Sequence, residues 1–88
     1  MNIDPKKSFF HDLKKITNPV LKEEIEQVIE TVKKAQTIGN IAKLKKLKGY
    51  RIHYRIKIGN YRIGAIIEGN LVTFKRFLPR KDFYKYFP

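Results

Sequence analysis

From residue 50 to 58, Tyr50, Ile52, Tyr54, Ile56 and Ile58 alternate with Arg51, His53, Arg55 and Lys57. A period of two marks a strand with one apolar and one polar face. The alternation recurs downstream, so the pattern predicts strands at about 50–58, 61–68 and 71–78, separated by Gly59-Asn60 and Gly69-Asn70. Each dipeptide puts Gly first, the order suited to a two-residue type II′ hairpin, and the three strands therefore form an antiparallel meander. Upstream the period is helical. Asp4-Pro5 reads as a cap followed by a first-turn proline, opening a helix over about 5–17 whose stripe is Phe9, Leu13 and Ile16 with Phe10 beside it. Asn18-Pro19 repeats that signal and starts a second helix, so the two form a hairpin. Leu21, Ile25, Val28, Ile29 and Val32 line its apolar side, Glu23, Glu24, Glu26 and Glu30 its solvent side, and Gly39-Asn40 stops it. The segment "IAKLKKLKG" at 41–49 suits a helical turn or a strand lead-in equally and is a connector.

Register follows from the turns. A two-residue loop at 59 and 60 sets Ile58 opposite Tyr61, Lys57 opposite Arg62, Arg55 opposite Gly64 and His53 opposite Ile66. His53, Arg55, Lys57 and Arg62 then share one face, and Gly64 leaves room in its middle for a phosphate. Tyr50, Ile52, Tyr54, Ile56, Ile58, Tyr61, Ile63, Ala65 and Ile67 share the other, which receives both helical stripes. The second turn sets Phe74 opposite Ala65, Val72 opposite Ile67, and Lys75 opposite Gly64 on the basic side. Lys75 and Arg76 are consecutive, so one of them points toward the helices. Ile66, Leu71 and Phe77 also fall on the basic face, where they suit a seat for the C-terminal segment or for a partner. The predicted class is α+β: two N-terminal helices on one face of a twisted antiparallel meander.

Eighty-eight residues support one domain, 1–88, with a thin core. The chain has no cysteine, hence no disulfide framework, which favours the cytoplasm. No apolar run reaches the length of a membrane span or a leader core, so no membrane partner is expected. The net charge of +12 is unevenly spread. Residues 1–30 carry five Lys/Arg against six Asp/Glu, a balance of −1, whereas residues 31–88 carry fifteen against two, a balance of +13. Such an excess favours a polyanion, because each phosphate neutralised releases condensed counterions. An outward basic strand face is also what an ordinary solvated sheet presents, and pattern alone does not separate the two.

The ordered set "KSFFHDLKKI", "LKKLKGY", "YRIKIGNYRIG" and "FKRFLPRKDFYKYFP" resembles the RelE/ParE superfamily of type II toxin–antitoxin systems, in its RelE-like branch. The likeness spans nearly the whole chain. It implies a microbial-RNase-like toxin that cuts messenger RNA in the ribosomal A site without metal or other cofactor, driving a ribose 2′-hydroxyl onto its own 3′-phosphate. Its implied partners are a cognate antitoxin, messenger RNA and the ribosome with its RNA. By the same resemblance the family's basic sheet residues fall on His53, Arg55, Lys57 and Arg62, and its C-terminal Arg and Tyr on Arg80 and Tyr84. The chain departs from many relatives in having Pro79 where they carry His, and "NID" at 2–4 is too short to assign the N-terminal strand common among them.

Cleavage through a cyclic phosphate needs a base for the 2′-hydroxyl, cations for the charge building on phosphorus, and an acid for the departing 5′-oxygen. Arginine suits only the middle task, since its fork is permanently charged. Arg55, Arg62 and Arg80 are therefore clamp candidates. Proton-transfer candidates are His53, Lys57, Lys75, Lys81 and Tyr84, of which His53 starts nearest neutrality. Arg51, Lys57, Lys75 and Lys81 extend the surface for RNA. His11 is an ordinary helix residue, and Phe83 and Phe87 are core. Two other functions fit the chain: a basic RNA- or ribosome-binding module without catalysis, which the absent histidine would suit, and a ParE-like inhibitor of DNA gyrase.

Overall fold

The computed structural model covers residues 1–88. The meander forms where the alternation places it, as β3 (His53–Ile58), β4 (Tyr61–Glu68) and β5 (Leu71–Pro79), extended at its edges by β1 (Asn2–Pro5) and β2 (Leu44–Lys46). The five strands run in the order β1-β5-β4-β3-β2, with β1 parallel to β5 and the other pairs antiparallel. Gly59 and Gly69 hold φ of 54° and 56°, while the asparagine after each avoids the left-handed region, as a type II′ turn requires. The chain has three helices: α1 (Lys7–Lys14), α2 (Pro19–Lys34) and α3 (Arg80–Tyr86), with a 3₁₀ turn at Ile38–Asn40. The α+β reading of two helices on a meander holds, with a third helix and two edge strands added to it.

The first hairpin has the register that its turn dictates, from Ile58 opposite Tyr61 to His53 opposite Ile66. The second departs from it at a β-bulge: Ala65 pairs with Phe74 and Gly64 with Arg76, so Lys75 has no partner across the ladder. This corrects the expected pairing of Lys75 with Gly64. One extra residue also flips every later side chain, which moves Phe77 from the basic face into the main core opposite Ile63, only 2% exposed.

Asp4-Pro5 does not start a helix. Asn2 N donates to Asn70 O and Lys6 N to Phe74 O, so the segment is held as the edge strand β1, and the Asp4 carboxylate meets Lys6 Nζ at 2.8 Å. Helix α1 begins afterwards without a side-chain cap. Asn18 does cap α2, its Oδ1 accepting from Val20 N at 2.9 Å and Leu21 N at 3.3 Å. The helix ends at Lys34, short of the Gly39-Asn40 stop.

Phe9 of α1 with Ile25 and Val32 of α2 pack onto Ile56, Ile63, Val72 and Phe74, the Phe9 and Phe74 rings lying 5.2 Å apart. Each fully buried side chain of this size contributes about 1.5–3 kcal/mol. Tyr50 and Ile52 stay outside this core, because β3 begins only at His53. A second, smaller core lies on the other face of the sheet, where Phe83 and Phe87 of the C-terminal segment pack with Leu47 and Leu78. The reading of both phenylalanines as core holds, but they roof the face expected to lie open. Phe87 sits on Gly64, where an added Cβ would fall 2.7 Å from the ring, so the space anticipated there for a phosphate is filled. Gly64→Ala is therefore expected to lose about 1–3 kcal/mol by thermal or urea unfolding. Phe87→Leu should offset most of that loss if the clash is its cause.

Candidate nucleic-acid interface

The face bearing α3 keeps an open strip along β3 and β2. Arg55 is opposite Lys45 of β2, so a lysine from the connector joins the outward row. Lys43, one turn of chain earlier, holds a left-handed φ of 62°, uncommon outside glycine. Its carbonyl accepts from Lys57 N at 3.3 Å and from Arg55 Nη1 at 3.0 Å, which steadies the Arg55 guanidinium over the strip.

Across β3 the strip is bounded by α3. Phe83 and Phe87 are one helical turn apart and face the sheet, so Arg80 and Tyr84, also one turn apart, flank them on one side. Tyr86 lies on the other flank, under the Arg76 guanidinium at 6.0 Å from its ring. Arg80 N donates to Asn60 O at 2.8 Å, which pins the start of α3 against the β3–β4 turn. Lys57, Gly59, Asn60, Arg62 and Arg80 consequently line one shallow depression of about 500 Å³.

Arg62 is the most constrained of these cations. It is 7% exposed, its Nη1 donates to Gly59 O and Tyr61 O, both at 2.9 Å, and its Nε is buried without a partner in the chain. Buried charges are ordinarily paired. The ion pairs of the molecule engage Asp4, Glu30 and Asp12, so neither Arg62 nor its neighbours Lys57 and Arg80 form one. Their field points at an anion with several acceptor oxygens, and phosphate matches the guanidinium fork. The chain holds no cluster of three His, Cys, Asp or Glu residues suited to a metal ion, and no helix is long and apolar enough to cross a membrane.

The residues singled out from the sequence do not all converge. Lys57, Arg62 and Arg80 meet at the depression, Arg55 stands two residues along β3, and the exposed Tyr84 is one turn along α3 from Arg80. Arg51 is exposed in the loop before β3, and Lys81 is exposed in the first turn of α3. His53 lies at the far end of the strip between Tyr50 and Phe87, four strand residues, or about 13 Å, from Lys57. Lys75 is on the bulge of β5, two strands from β3, where its carbonyl accepts from Ser8 Oγ at 2.6 Å. Sequence reading missed Lys43 and Lys45, whose place on this face depends on β2 forming. It also missed Asp12, a carboxylate set among Phe9, Leu13 and Ile16 at helical spacing, which was the visible sign of a buried partner.

Comparison with known proteins extends the picture. No protein-family model matches the chain. Toxin RelE3 of Methanocaldococcus jannaschii is 40% identical over 83 residues, covering 93% of each chain. The toxin-like fold is also seen in a RelB–RelE antitoxin–toxin complex from Methanococcus jannaschii, matched at a TM-score of 0.79 and 38% identity over 97% of this chain and 99% of that one. A YoeB dimer from Staphylococcus aureus shares the fold at a TM-score of 0.71 and 17% identity, over 89% of this chain and 94% of that one. Identity of this level over almost the full length of both chains, on a sheet and helices of the same arrangement, shows that the chain belongs to the RelE toxin family.

Proposed function

We propose that the chain is the toxin of a type II toxin–antitoxin pair, silenced by a cognate antitoxin and acting in the cytoplasm as a ribosome-dependent endoribonuclease on messenger RNA. The observation that carries this reading is the cluster of Lys57, Arg62 and Arg80 around the Gly59-Asn60 turn, none of them in an ion pair, with Arg62 almost fully buried. The solved RelB–RelE complex, 38% identical, supports the antitoxin partner.

In the reaction a base takes the proton of the 2′-hydroxyl, the 2′-oxygen bonds to phosphorus as the bond to the 5′-oxygen breaks, and that oxygen receives a proton. The products are a 2′,3′-cyclic phosphate and a 5′-hydroxyl. Arg62 and Arg80, with Arg55 beside them, hold the non-bridging oxygens as charge accumulates there. Lys57, itself a member of this cluster, and Tyr84, one helical turn from Arg80, take the proton-transfer roles, whereas His53 stands a strand's length away. Arg51 and Lys81 lie farther out, as contacts to the RNA backbone.

Pro79 supports a second reading. It directly precedes Arg80 and offers no proton, as a binding module without cleavage would allow. Induced expression without a partner separates the possibilities. The expected result is growth arrest with messenger RNA fragments ending in cyclic phosphate. Intact messenger RNA with retained ribosome binding selects the non-cleaving module, and intact messenger RNA with damaged or over-wound DNA selects gyrase inhibition.

A further inference from the structure

At the end of the strip away from the phosphate cluster, three rings form a ladder. Tyr50 lies edge-on to His53 with centroids 5.1 Å apart, and His53 leans on Phe87 at 5.7 Å. Phe87 is 4% exposed and packed over Gly64, so the ladder has a buried base. His53 Nδ1 is buried without a hydrogen-bond partner in the chain, so the imidazole is held by its ring neighbours. Tyr50, by contrast, is 47% exposed and belongs to neither core. Its loop is nevertheless held: Leu47 N donates to His53 O at 2.9 Å and Tyr50 N to Leu47 O at 3.1 Å.

We propose that Tyr50, backed by His53, is a stacking platform for an unpaired nucleobase, and that the RNA runs along β3 from this platform to the phosphate cluster at Lys57, Arg62 and Arg80. The proposal rests on RNA being the substrate, as proposed above. An exposed, preorganised aromatic beside cations is how proteins hold single-stranded bases, because every base offers a π-face. Lys48 and Arg51, both exposed on the same loop, supply charge for the flanking backbone. His53, which backs the platform, already stands about 13 Å along the strand from Lys57, too far for one nucleotide to reach both Tyr50 and the cluster. Tyr50 therefore meets a neighbour of the cleaved nucleotide, and base stacking there sets a context preference that the phosphate contacts alone do not supply.

The test is equilibrium binding of a short single-stranded RNA in which 2′-methoxy groups replace the 2′-hydroxyls and block cleavage, measured over a range of salt. Tyr50→Ala is expected to weaken binding about tenfold at fixed salt without altering the salt slope, since a stacked base releases no counterions. Tyr50→Phe keeps most of the affinity. Lys57→Ala lowers the slope by ~1. An abasic nucleotide at one position of the RNA costs the wild type the same factor but costs Tyr50→Ala nothing. Equal affinity of Tyr50→Ala and wild type overturns the platform, as does a loss that comes with a changed slope. A loss confined to antitoxin affinity would assign Tyr50 to a protein interface and also overturns it. A wild type that neither binds this RNA nor cleaves messenger RNA on programmed ribosomes removes the function proposed above and this site with it, whereas binding unaffected by Tyr50→Ala removes this site alone. Tyr50 lies outside both cores, so the variant's unfolding transition should match that of the wild type.

Discussion

Arg80→Ala is expected to slow single-turnover cleavage on programmed ribosomes by about 10²-fold or more, the usual loss when one preorganised contact to transition-state charge is removed. Arg80 has two properties that make this a clean experiment. Its side chain is exposed and absent from both hydrophobic cores, so little packing is lost with it. The start of α3 stays anchored because the bond to Asn60 O comes from the backbone N–H, which alanine keeps. Tyr84→Phe should cost less, since water can partly replace a proton carrier, and His53→Ala less again, as it stands at the other end of the strip. A rate for Arg80→Ala within a few-fold of wild type would remove the clamp from the mechanism. Pro79→His is the informative companion: if it creates cleavage where the parent has none, the chain is a binding module.

Asp12→Ala should cost about 3 kcal/mol of stability, the second large effect. Asp12 is 3% exposed, and its carboxylate accepts from Arg76 Nε at 2.7 Å, Arg76 Nη2 at 3.2 Å and Phe77 N at 2.9 Å. These bonds close the stretch of β5 that lies beyond β1 and tie α1 to that edge, while Arg76 reaches across to Tyr86 of α3. Truncation removes bonds to charged groups, each worth about 1.5–3 kcal/mol, and strands the Phe77 N–H. The loss falls short of the two combined because Arg76, with a side chain 29% exposed, can turn to water. Against a total of ~4–13 kcal/mol for a domain of this length, the melting point should fall by about 12–24 °C. A fall of under about 5 °C would show that the edge finds other partners. The hydrogen bond that Arg76 donates to Asp12 raises the Arg76 pKa against the opposing effect of desolvation. A raised folded-state value gives stability that is lost only as pH climbs through it, above the ordinary arginine range, so this contribution is flat through neutral pH.

Much of this molecule is written locally. The alternation from Tyr54 to Ile58, the Gly-Asn turns and the Asn18 cap each depend on contacts within a few residues, and so the first hairpin, its register and the start of α2 are legible in the chain. The meeting of Lys57 with Arg62 follows from the same turn. Beyond that, distant partners decide. Asp4-Pro5 has the local signature of a helix start, yet the unpaired edge of β5 recruits the segment as a parallel strand. The bulge that displaces Lys75 and turns Phe77 inward is held by Ser8 and Asp12, more than sixty residues away in sequence. Lys43 and Lys45 join the basic face only because β2 pairs with β3, and Phe87 fills the place over Gly64 only because α3 folds back across the sheet. Period, turn chemistry and charge are short-range properties, and so the chain read alone yields the meander, the two N-terminal helices against one face of it, and the basic strand. Which further cations join that pair, and which are tied up elsewhere, depends instead on strand edges and helix faces meeting across the chain, as Arg80 at the turn and Arg76 on Asp12 do.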